Sequence, residues 1–302
     1  MYRNKEEWKG IIPALLTPLN EDGSFDLDSL DKLLDNAIGA GCTGIFACGS
    51  TGEPTNMSRA QYEEYVGLVQ KRVNGRVPLC VGVIEPGTSR CIETIKRVQD
   101  MGVNFVSCTP NFYAKNEDQA SIIRHYEQIA KETDVRMMIY NNLDTTGVNI
   151  IASTFMEISR IDNVVAYKDT RSDWENHMRI LYFLRDKDIS LVNGGEYLIG
   201  ASFLMGSQAN IAAASNLLPK LFVALYKASA IEKNIEKSLE LGDKVAYLNE
   251  ITRVGRSWLH GVKYAGQRLG LLKDIVAGPP TVLNDAEKHR VDEILDSLSA
   301  YH

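Results

Sequence analysis

Two residues that could carry covalent chemistry stand at the ends of short apolar segments. Lys168 follows the run VVAY at residues 164–167, and Tyr140 follows MMI at residues 137–139. An amine attacks a carbonyl carbon only in its neutral form, which burial of a lysine favours. The iminium that results can accept electrons from a neighbouring carbon–carbon bond, and a nearby phenol can transfer the proton. The pair predicts Schiff-base chemistry, although a lysine that reaches solvent and a tyrosine that only packs stay open as alternatives.

A glycine-rich pentapeptide, GSTGE at residues 49–53, directly follows another apolar segment. Its two glycines permit a tight turn in which backbone N–H groups stand beside the hydroxyls of Ser50 and Thr51. Such a turn is suited to binding a carboxylate. A polar connection that only caps a helix is the alternative interpretation.

Apolar, β-rich segments alternate along the chain with longer segments of helical period, a pattern typical of βα units and a parallel sheet. Eight segments are predicted as strands, with boundaries good to about two to four residues: residues 11–16, 44–48, 79–84, 105–108, 136–140, 164–168, 190–193 and 209–213. Because eight strands close a barrel, the predicted fold class is α/β, a (β/α)8 TIM barrel with a C-terminal helical extension. The loops at the carboxyl ends of such strands converge, and Lys168 and Tyr140 stand there.

The helical segments carry start signals. Ser58 and Gln61 form a capping-box pattern, and another helix is predicted from about Glu117 to Thr133. Beyond the eighth strand, helices are predicted over residues 219–229, 232–254 and 285–298. No linker rich in Gly, Ser or Pro divides the chain. We therefore expect residues 1–225 to form the catalytic barrel and residues 226–302 a helical region packed on it.

The composition excludes several classes of function. The 302 residues are 44 % hydrophobic and 24 % charged with a net charge of -6, as in an ordinary globular protein, and no basic stripe suggests nucleic acid. Residues 1–7 lack the apolar stretch of a secretory signal, and no apolar run approaches the roughly 18 residues of a membrane span. We expect a cytoplasmic protein without a membrane partner. Five cysteines without a CxxC and five histidines without HxH or HxxxH pairs predict neither a disulfide framework nor a metal site.

Taken together, these motifs resemble the dihydrodipicolinate synthase and N-acetylneuraminate lyase family of pyruvate-dependent class I aldolases. The resemblance extends from about Gly10 to Asn216. It rests on TP at residues 17–18 with DG at 22–23, GSTGE at 49–53, YN at 140–141, KDT at 168–170 and NG at 193–194. Each fragment is short, but their common order and their placement at strand ends give one consistent register.

The resemblance implies a role for each matching position. Lys168 would form the Schiff base, and Tyr140 would shuttle protons during imine formation and later handle the substrate hydroxyl. Thr51 would relay protons to that phenol and, with Ser50, hold the pyruvate carboxylate. The pocket would also include Gly194, Thr170 and the main-chain carbonyl of Ile211. No metal or organic cofactor is implied.

The loop after the fourth strand departs from the family pattern. Members commonly carry adjacent aromatics there, one of them a tyrosine whose hydroxyl crosses a subunit boundary to complete the proton relay. Here the loop reads TPNFY at residues 109–113, and the simplest register puts Phe112 at that position. Tyr113 in a shifted loop, a water molecule, or the absence of this relay member remain open. The family's homotetramers, built as dimers of dimers, imply an oligomer with this loop at one interface.

Two further departures concern the second substrate. Thr145 stands where dihydrodipicolinate synthases that resemble this chain would have an arginine, and a threonine cannot form the bidentate pair with a carboxylate. Sialic acid lyases show an Asp-Glu pair after the Asn-Gly of the seventh strand and a serine at the position of Ala213. Here GEY at residues 195–197 follows instead. Both specialised activities are therefore disfavoured.

What remains is an aldolase that cleaves or forms a carbon–carbon bond between pyruvate and an aldehyde, on a 2-keto-3-deoxy sugar acid or a similar hydroxylated 2-keto acid. Polar and acidic side chains suit hydroxyls, which donate and accept hydrogen bonds. The candidates are Asp144, Thr145, Glu196 and Asn210. Three alternatives stay open: a 2-keto acid dehydratase that uses the same imine, a dihydrodipicolinate synthase or N-acetylneuraminate lyase proper, and a non-catalytic barrel that binds 2-keto acids.

Overall fold

The strands of the protein form a single parallel sheet. The computed structural model describes residues 5–114, 118–170, 173–279 and 282–302. The strands are β1 (Gly10–Ile11), β2 (Ile45–Ala47), β3 (Leu79–Val83), β4 (Phe105–Cys108), β5 (Arg136–Asn141), β6 (Val164–Asp169), β7 (Ser190–Asn193) and β8 (Ala209–Asn210). They are ordered β1-β8-β7-β6-β5-β4-β3-β2, and each pair of neighbours runs parallel.

The sheet closes on itself between β1 and β2. Ala14, just beyond β1, forms a parallel bridge with Phe46 of β2. The backbone N–H of Leu15 donates to the carbonyl of Phe46 (2.8 Å), and the N–H of Phe46 donates to the carbonyl of Pro13 (3.0 Å). The predicted (β/α)8 barrel is thereby confirmed, with β1 and β8 shorter than predicted, although backbone hydrogen bonds continue from Ile12 to Asn210 (3.0 Å) and from Ala14 to Ala212 (3.1 Å).

Helices separate the strands and continue past the last one. They are α1 (Leu27–Ala40), α2 (Arg59–Val73), α3 (Thr88–Asp100), α4 (Gln119–Glu132), α5 (Leu143–Thr146), α6 (Ala152–Ile158), α7 (Trp174–Leu184), α8 (Ile199–Met205), α9 (Pro219–Tyr226), α10 (Ile235–Asn249), α11 (Trp258–Arg268) and α12 (Asp285–Ser297). Ser58 caps α2 in a capping box with Gln61, as predicted. Asp118 caps α4, whereas the predicted start of that helix at Glu117 lies outside the described residues.

Apolar side chains cover both faces of the strands, which explains the uninterrupted apolar runs in the sequence. Inside the barrel, the ring of Trp8 meets that of Phe105 edge-on at 4.8 Å between centroids, in a cluster that also contains Phe46 and Tyr140. A second, larger cluster lies between the strands and the helices and continues into the C-terminal helices. Tyr65 crosses that layer and donates its hydroxyl to the carbonyl of Leu16 (2.9 Å). The strand ends are therefore held by a packed interior.

The C-terminal helices differ from their predicted bounds. The segment predicted as 219–229 becomes π-helical after Tyr226, and the one predicted as 232–254 is helical only in α10, because Asn234 caps its start and a 3-10 turn (Glu250–Arg253) follows it. Helix α11 was not predicted. It begins after the left-handed Gly255 with Ser257 as its cap, which accepts from the N–H of Leu259 (3.4 Å).

The C-terminal helices pack directly on the barrel. Helix α9 lies against β1 and α1, and α10 lies against α8 and α9. The expected boundary between residues 225 and 226 falls in the last turn of α9 and remains a prediction. None of the described helices is long and apolar enough to cross a membrane.

Candidate active site

A cavity of about 330 Å³ opens at the carboxyl ends of the strands. It brings together ten of the candidate site residues from the sequence analysis: Ser50, Thr51, Tyr140, Asp144, Thr145, Lys168, Thr170, Gly194, Glu196 and Ile211. These residues follow five different strands, β2, β5, β6, β7 and β8, whose carboxyl ends the parallel sheet places at one edge. The convergence predicted from sequence is therefore present in the fold.

Lys168 lies at the floor of this cavity. It is paired with Tyr140 across β5 and β6, and its side chain is only 4 % exposed. Its Nζ lies 3.9 Å from the centroid of the Tyr140 ring and 4.9 Å from that of Phe46. The amine is thus enclosed by aromatic faces and shielded from bulk water, in reach of a ligand in the cavity.

The phenol of Tyr140 is poised to exchange a proton. Burial alone would raise its pKa, but the charge of Lys168 and the polar groups of Lys168, Ser50 and Thr170 beside the phenol outweigh burial and lower the pKa below its usual value of about 10. The side-chain amide of Asn142 donates to the phenolic oxygen (2.9 Å) and fixes its position. Sequence analysis missed Asn142, although it follows the same strand end two residues later.

The GSTGE segment forms the predicted tight turn. Residues Ser50–Gly52 are a 3-10 turn, closed by hydrogen bonds from the N–H of Gly52 to the carbonyl of Gly49 (2.8 Å) and from that of Glu53 to the carbonyl of Ser50 (3.2 Å). A Cβ on Gly49 would lie 2.3 Å from the ring of Phe46, so this position requires glycine. The turn holds Ser50 and Thr51 at the wall of the cavity that Lys168 also lines.

Thr170 has unused hydrogen-bonding capacity at the cavity. Its Oγ1 is buried and makes no hydrogen bond of standard length with the described residues. The hydroxyl stands beside the phenol of Tyr140. A substrate oxygen in the cavity would complete its hydrogen bonding.

Gly194 lets β7 approach Lys168 closely. A Cβ at this position would lie 2.3 Å from Thr170 Oγ1 and 3.1 Å from Lys168 Cε. The N–H of Gly194 also donates to the carbonyl of Asp169 (2.7 Å), which locks the two strand ends together. Any larger residue would have to displace the side chains of Thr170 and Lys168.

Gly194→Ala is therefore expected to displace Thr170 and Lys168 while the protein stays folded. A misplacement of about 1 Å costs on the order of a hundredfold in rate, so we expect kcat/KM to fall about tenfold to a hundredfold. Steady-state kinetics together with far-ultraviolet circular dichroism check this. Gly87→Ala is the control, because a Cβ there meets no atom within 4 Å. Equal losses in both variants would contradict the role of Gly194.

Glu196 places a carboxylate on the same wall. Its Oε1 accepts from the N–H of Ala214 (3.1 Å). Burial raises the pKa of this carboxyl above its usual value, and the N–H groups of Ala214 and Ala213 and the charge of Lys168 offset the effect only in part. Among the described residues that line the cavity, Lys168 is the only cation. The described lining residues other than Lys168 are therefore either acidic or uncharged.

Sequence analysis assigned only part of the remaining cavity wall. Asp144 and Thr145 of α5 line the cavity, as proposed from sequence. Three residues of the C-terminal helical region line it as well: Asn249, Thr252 and Trp258. No strand-end signal marks these three positions. The C-terminal region thus takes part in shaping the cavity.

Three candidates do not line the cavity. Phe112 lines a separate groove beside Pro86 and Arg90. Tyr113, with a left-handed φ of 72°, is 91 % exposed, so within one chain its hydroxyl does not reach the phenol of Tyr140. Asn210 is fully buried, and its amide donates to the carbonyl of Asn193 (2.8 Å); it does not line the cavity, and its role in binding hydroxyls stays a prediction.

Comparison with known proteins gives a consistent result over nearly the whole chain. The model of the dihydrodipicolinate synthetase family matches residues 7–298. A 4-hydroxy-tetrahydrodipicolinate synthase of Methanospirillum hungatei is 28 % identical over 297 residues, covering 97 % of this chain and 99 % of the relative. One from Rickettsia bellii is 29 % identical over 292 residues, covering 97 % and 98 %.

Solved structures agree with these relatives. The dihydrodipicolinate synthase of Bacteroides thetaiotaomicron superposes with a TM-score of 0.89 at 28 % identity, over 96 % of this chain and 98 % of its own. The chloride-inhibited dihydrodipicolinate synthase of Acinetobacter baumannii, solved in complex with pyruvate, gives a TM-score of 0.90 at 26 % identity, over 96 % and 99 %. The similarity covers the barrel and the C-terminal helices alike.

Proposed function

The chain belongs to the dihydrodipicolinate synthetase family, and from this premise we propose that it joins or cleaves pyruvate and a neutral hydroxylated aldehyde through an imine on Lys168. It is a carbon–carbon lyase of the pyruvate-dependent aldolase class. Its substrate in the cleavage direction is a 2-keto-3-deoxy sugar acid or a similar hydroxylated 2-keto acid. One observation carries the proposal: the amine of Lys168 lies against the Tyr140 ring, in a cavity whose other described lining residues include no cation.

Imine formation begins when the keto acid binds with its carboxylate at the turn of Ser50 and Thr51. The neutral amine of Lys168 attacks C2, and protons delivered through Tyr140 convert the carbonyl oxygen to a leaving water. The lowered pKa of Tyr140 suits this exchange, since the phenol can give a proton and take one back. The product is a protonated imine between Nζ and C2.

Cleavage then uses the imine as the electron acceptor. The phenolate of Tyr140 removes the proton of the C4 hydroxyl, the electrons of the C3–C4 bond move toward the iminium nitrogen, and the aldehyde leaves. The enamine that remains takes up a proton at C3. Water hydrolyses the imine and releases pyruvate, which restores the free amine. Synthesis is the same sequence reversed.

The charges around the cavity argue for a neutral aldehyde. Thr145 cannot hold a carboxylate as an arginine would. Asp144 and Glu196 would repel an anionic partner, whereas both can accept hydrogen bonds from hydroxyls. Asn249 and Thr252 add neutral donors and acceptors to the cavity wall. This set supports a polyhydroxylated chain.

Reductive trapping tests the head group and the nucleophile together. Borohydride added with pyruvate should leave a covalent adduct on Lys168, located by mass spectrometry of the digested protein. A panel of aldehydes then tests the partner, with glyceraldehyde and longer sugar aldehydes expected to turn over. Turnover with aspartate semialdehyde alone would overturn the proposed partner and favour dihydrodipicolinate synthesis. Failure of pyruvate to label the protein would favour a non-catalytic binding barrel.

A dehydratase is the second candidate, because Glu196 supplies a carboxyl with a raised pKa beside the imine position. Such a group could protonate a departing hydroxyl so that water leaves in place of an aldehyde. Product analysis with a 2-keto-3-deoxy sugar acid separates the two activities. Release of pyruvate identifies the aldolase, and a dehydrated keto acid without pyruvate identifies the dehydratase.

Glu196→Gln is expected to weaken selection of the hydroxylated partner. Loss of a hydrogen bond to a charged group costs about 1.5–3 kcal/mol, so kcat/KM for that partner should fall roughly tenfold to a hundredfold at neutral pH. Because the pKa of Glu196 is raised, the wild-type carboxylate is protonated at a higher pH than an exposed glutamate. The wild-type kcat/KM should therefore decrease as the pH is lowered and Glu196 takes up a proton. The Glu196→Gln variant should not show this decrease.

The pH profile also separates this role from simple packing. Borohydride trapping with pyruvate alone should be unchanged in Glu196→Gln, because Glu196 is proposed to bind the aldehyde and not to take part in imine formation. A variant that loses pyruvate trapping would place Glu196 in the imine chemistry instead.

Oligomer formation remains an expectation from the family. The exposed Tyr113 ring is available to a neighbouring subunit, as the shifted-loop alternative requires. Light scattering is expected to give a homotetramer. A monomer would remove any contribution of a second chain to the relay.

A further inference from the structure

We propose that Lys263 is a positioning residue for the carboxylate-binding turn, which it holds through a buried ion pair with Glu53. The inference rests on the proposed function, because it assigns the Ser50–Thr51 turn to the pyruvate carboxylate. It concerns a charged group on α11, outside the cavity and on the far side of the turn from the substrate.

Lys263 is a fully buried cation. Its side chain has no exposed surface, and its Nζ lies 3.2 Å from Glu53 Oε1. The same ammonium donates to the carbonyl of Thr17 (2.5 Å) and to that of Ile275 (2.7 Å). One side chain therefore joins the end of the first strand segment, the GSTGE turn and the C-terminal segment. An isolated buried ammonium would be very costly, so these partners are what make the position tenable.

Glu53 is held by hydrogen bonds at one carboxylate oxygen and by the ion pair at the other. Its Oε2 accepts from the N–H of Ala277 (2.7 Å) and from that of Gly278 (3.3 Å), while Oε1 faces Lys263. Its backbone is left-handed, with φ of 57°, a conformation that residues other than glycine rarely adopt. A glutamate persists there because its carboxylate is fixed from two sides.

This pair acts on the site through a short path. Glu53 is two residues after Thr51, and its N–H closes the turn on the carbonyl of Ser50 (3.2 Å). From the opposite side, Thr17 donates its hydroxyl to the carbonyl of Gly52 (2.7 Å), while its own carbonyl accepts from Lys263. The ammonium thus restrains the turn at both ends. Without it, the turn that carries Ser50 and Thr51 would lose its fixed orientation.

Lys263→Met is expected to weaken pyruvate binding more than turnover. The pyruvate concentration that gives half-maximal borohydride trapping should rise on the order of tenfold, while kcat at saturating pyruvate changes much less. The double variant Lys263→Met with Glu53→Gln should recover toward the wild-type value. The double change leaves no uncompensated charge, and the glutamine oxygen can still accept from Ala277 and Gly278. If Lys263→Met fails to fold, Glu53→Gln alone tests the same ion pair from its other side.

Arg268→Met is the matched control, since Arg268 lies on the same helix and pairs with Asp292 (2.6 Å) on α12, away from the turn. It should leave half-maximal trapping unchanged. An equal rise in this control, an unchanged value in Lys263→Met, or no recovery in the double variant would each overturn the inference. If wild-type protein is not trapped by pyruvate at all, the proposed function fails first. If the wild type is trapped normally and Lys263→Met behaves identically, only the positioning role fails.

Discussion

Lys168→Ala is expected to abolish trapping by pyruvate and to lower turnover by on the order of a thousandfold or more, as removal of a covalent nucleophile does. No neighbouring cation lines the described part of the cavity to replace the amine. Borohydride added with pyruvate should not inhibit the residual turnover of the variant, because no imine is available for reduction. Mass spectrometry after trapping, combined with steady-state kinetics, measures both effects.

Two variants make the Lys168 result specific. Lys168→Arg keeps a positive charge but cannot form an imine, so it should be as inactive as the alanine variant. Lys244→Ala removes a lysine that pairs with Glu240 on the outer surface of α10, and it should behave as wild type. If Lys168→Ala retained wild-type turnover, the imine mechanism would be wrong at its first step.

Tyr140→Phe is expected to lower kcat by on the order of a hundredfold to ten thousandfold, the usual contribution of a positioned proton donor. The change removes one oxygen, keeps the ring against Lys168, and leaves the amide of Asn142 without its acceptor. Pyruvate trapping should become slow but remain complete at long times, because the amine is still present. Single-turnover trapping and steady-state kinetics separate these outcomes.

The pH dependence supplies a second readout for Tyr140. Because the pKa of its phenol is lowered, it loses its proton at a lower pH than an ordinary tyrosine. Burial raises the pKa of Tyr62, Tyr65 and Tyr126, so these three do not titrate in that range. The ultraviolet difference between wild type and Tyr140→Phe should show a phenolate forming below pH 10. Tyr182→Phe, at an exposed ring, should leave kcat unchanged.

The floor of the site could be predicted from sequence because strand ends are marked locally. Once eight strands predict a barrel, a lysine or tyrosine that closes an apolar strand segment is expected at the carboxyl-end rim, as found for Lys168 and Tyr140. Gly194 was reached through a resemblance rather than a local signal. Its physical reason, the 3.1 Å from a Cβ to Lys168 Cε, appears only in three dimensions.

The rest of the cavity wall could not be predicted in the same way. Asn249, Thr252 and Trp258 follow Lys168 by more than seventy residues and lie in or beside helices, where polar residues usually face solvent. Their place in the cavity depends on how α10 and α11 dock, which no local pattern encodes. Phe112 is the reverse case: its position in the family motif suggested a place in the site, but it does not line the cavity.

The two parts of the cavity, one from strand ends and one from C-terminal helices, correspond to two properties of the proposed enzyme: the covalent step and the choice of aldehyde. In the proposed mechanism, strand ends supply the amine and phenol that activate the keto acid, whereas Thr252, just after α10, and Trp258, the first residue of α11, line the same cavity from the C-terminal helices. If the proposed function holds, we expect substitutions at Thr252 and Trp258 to change which aldehyde is accepted without affecting the covalent step. Evolution or protein engineering could therefore change the preferred aldehyde through these residues while Lys168 and Tyr140 stay unchanged.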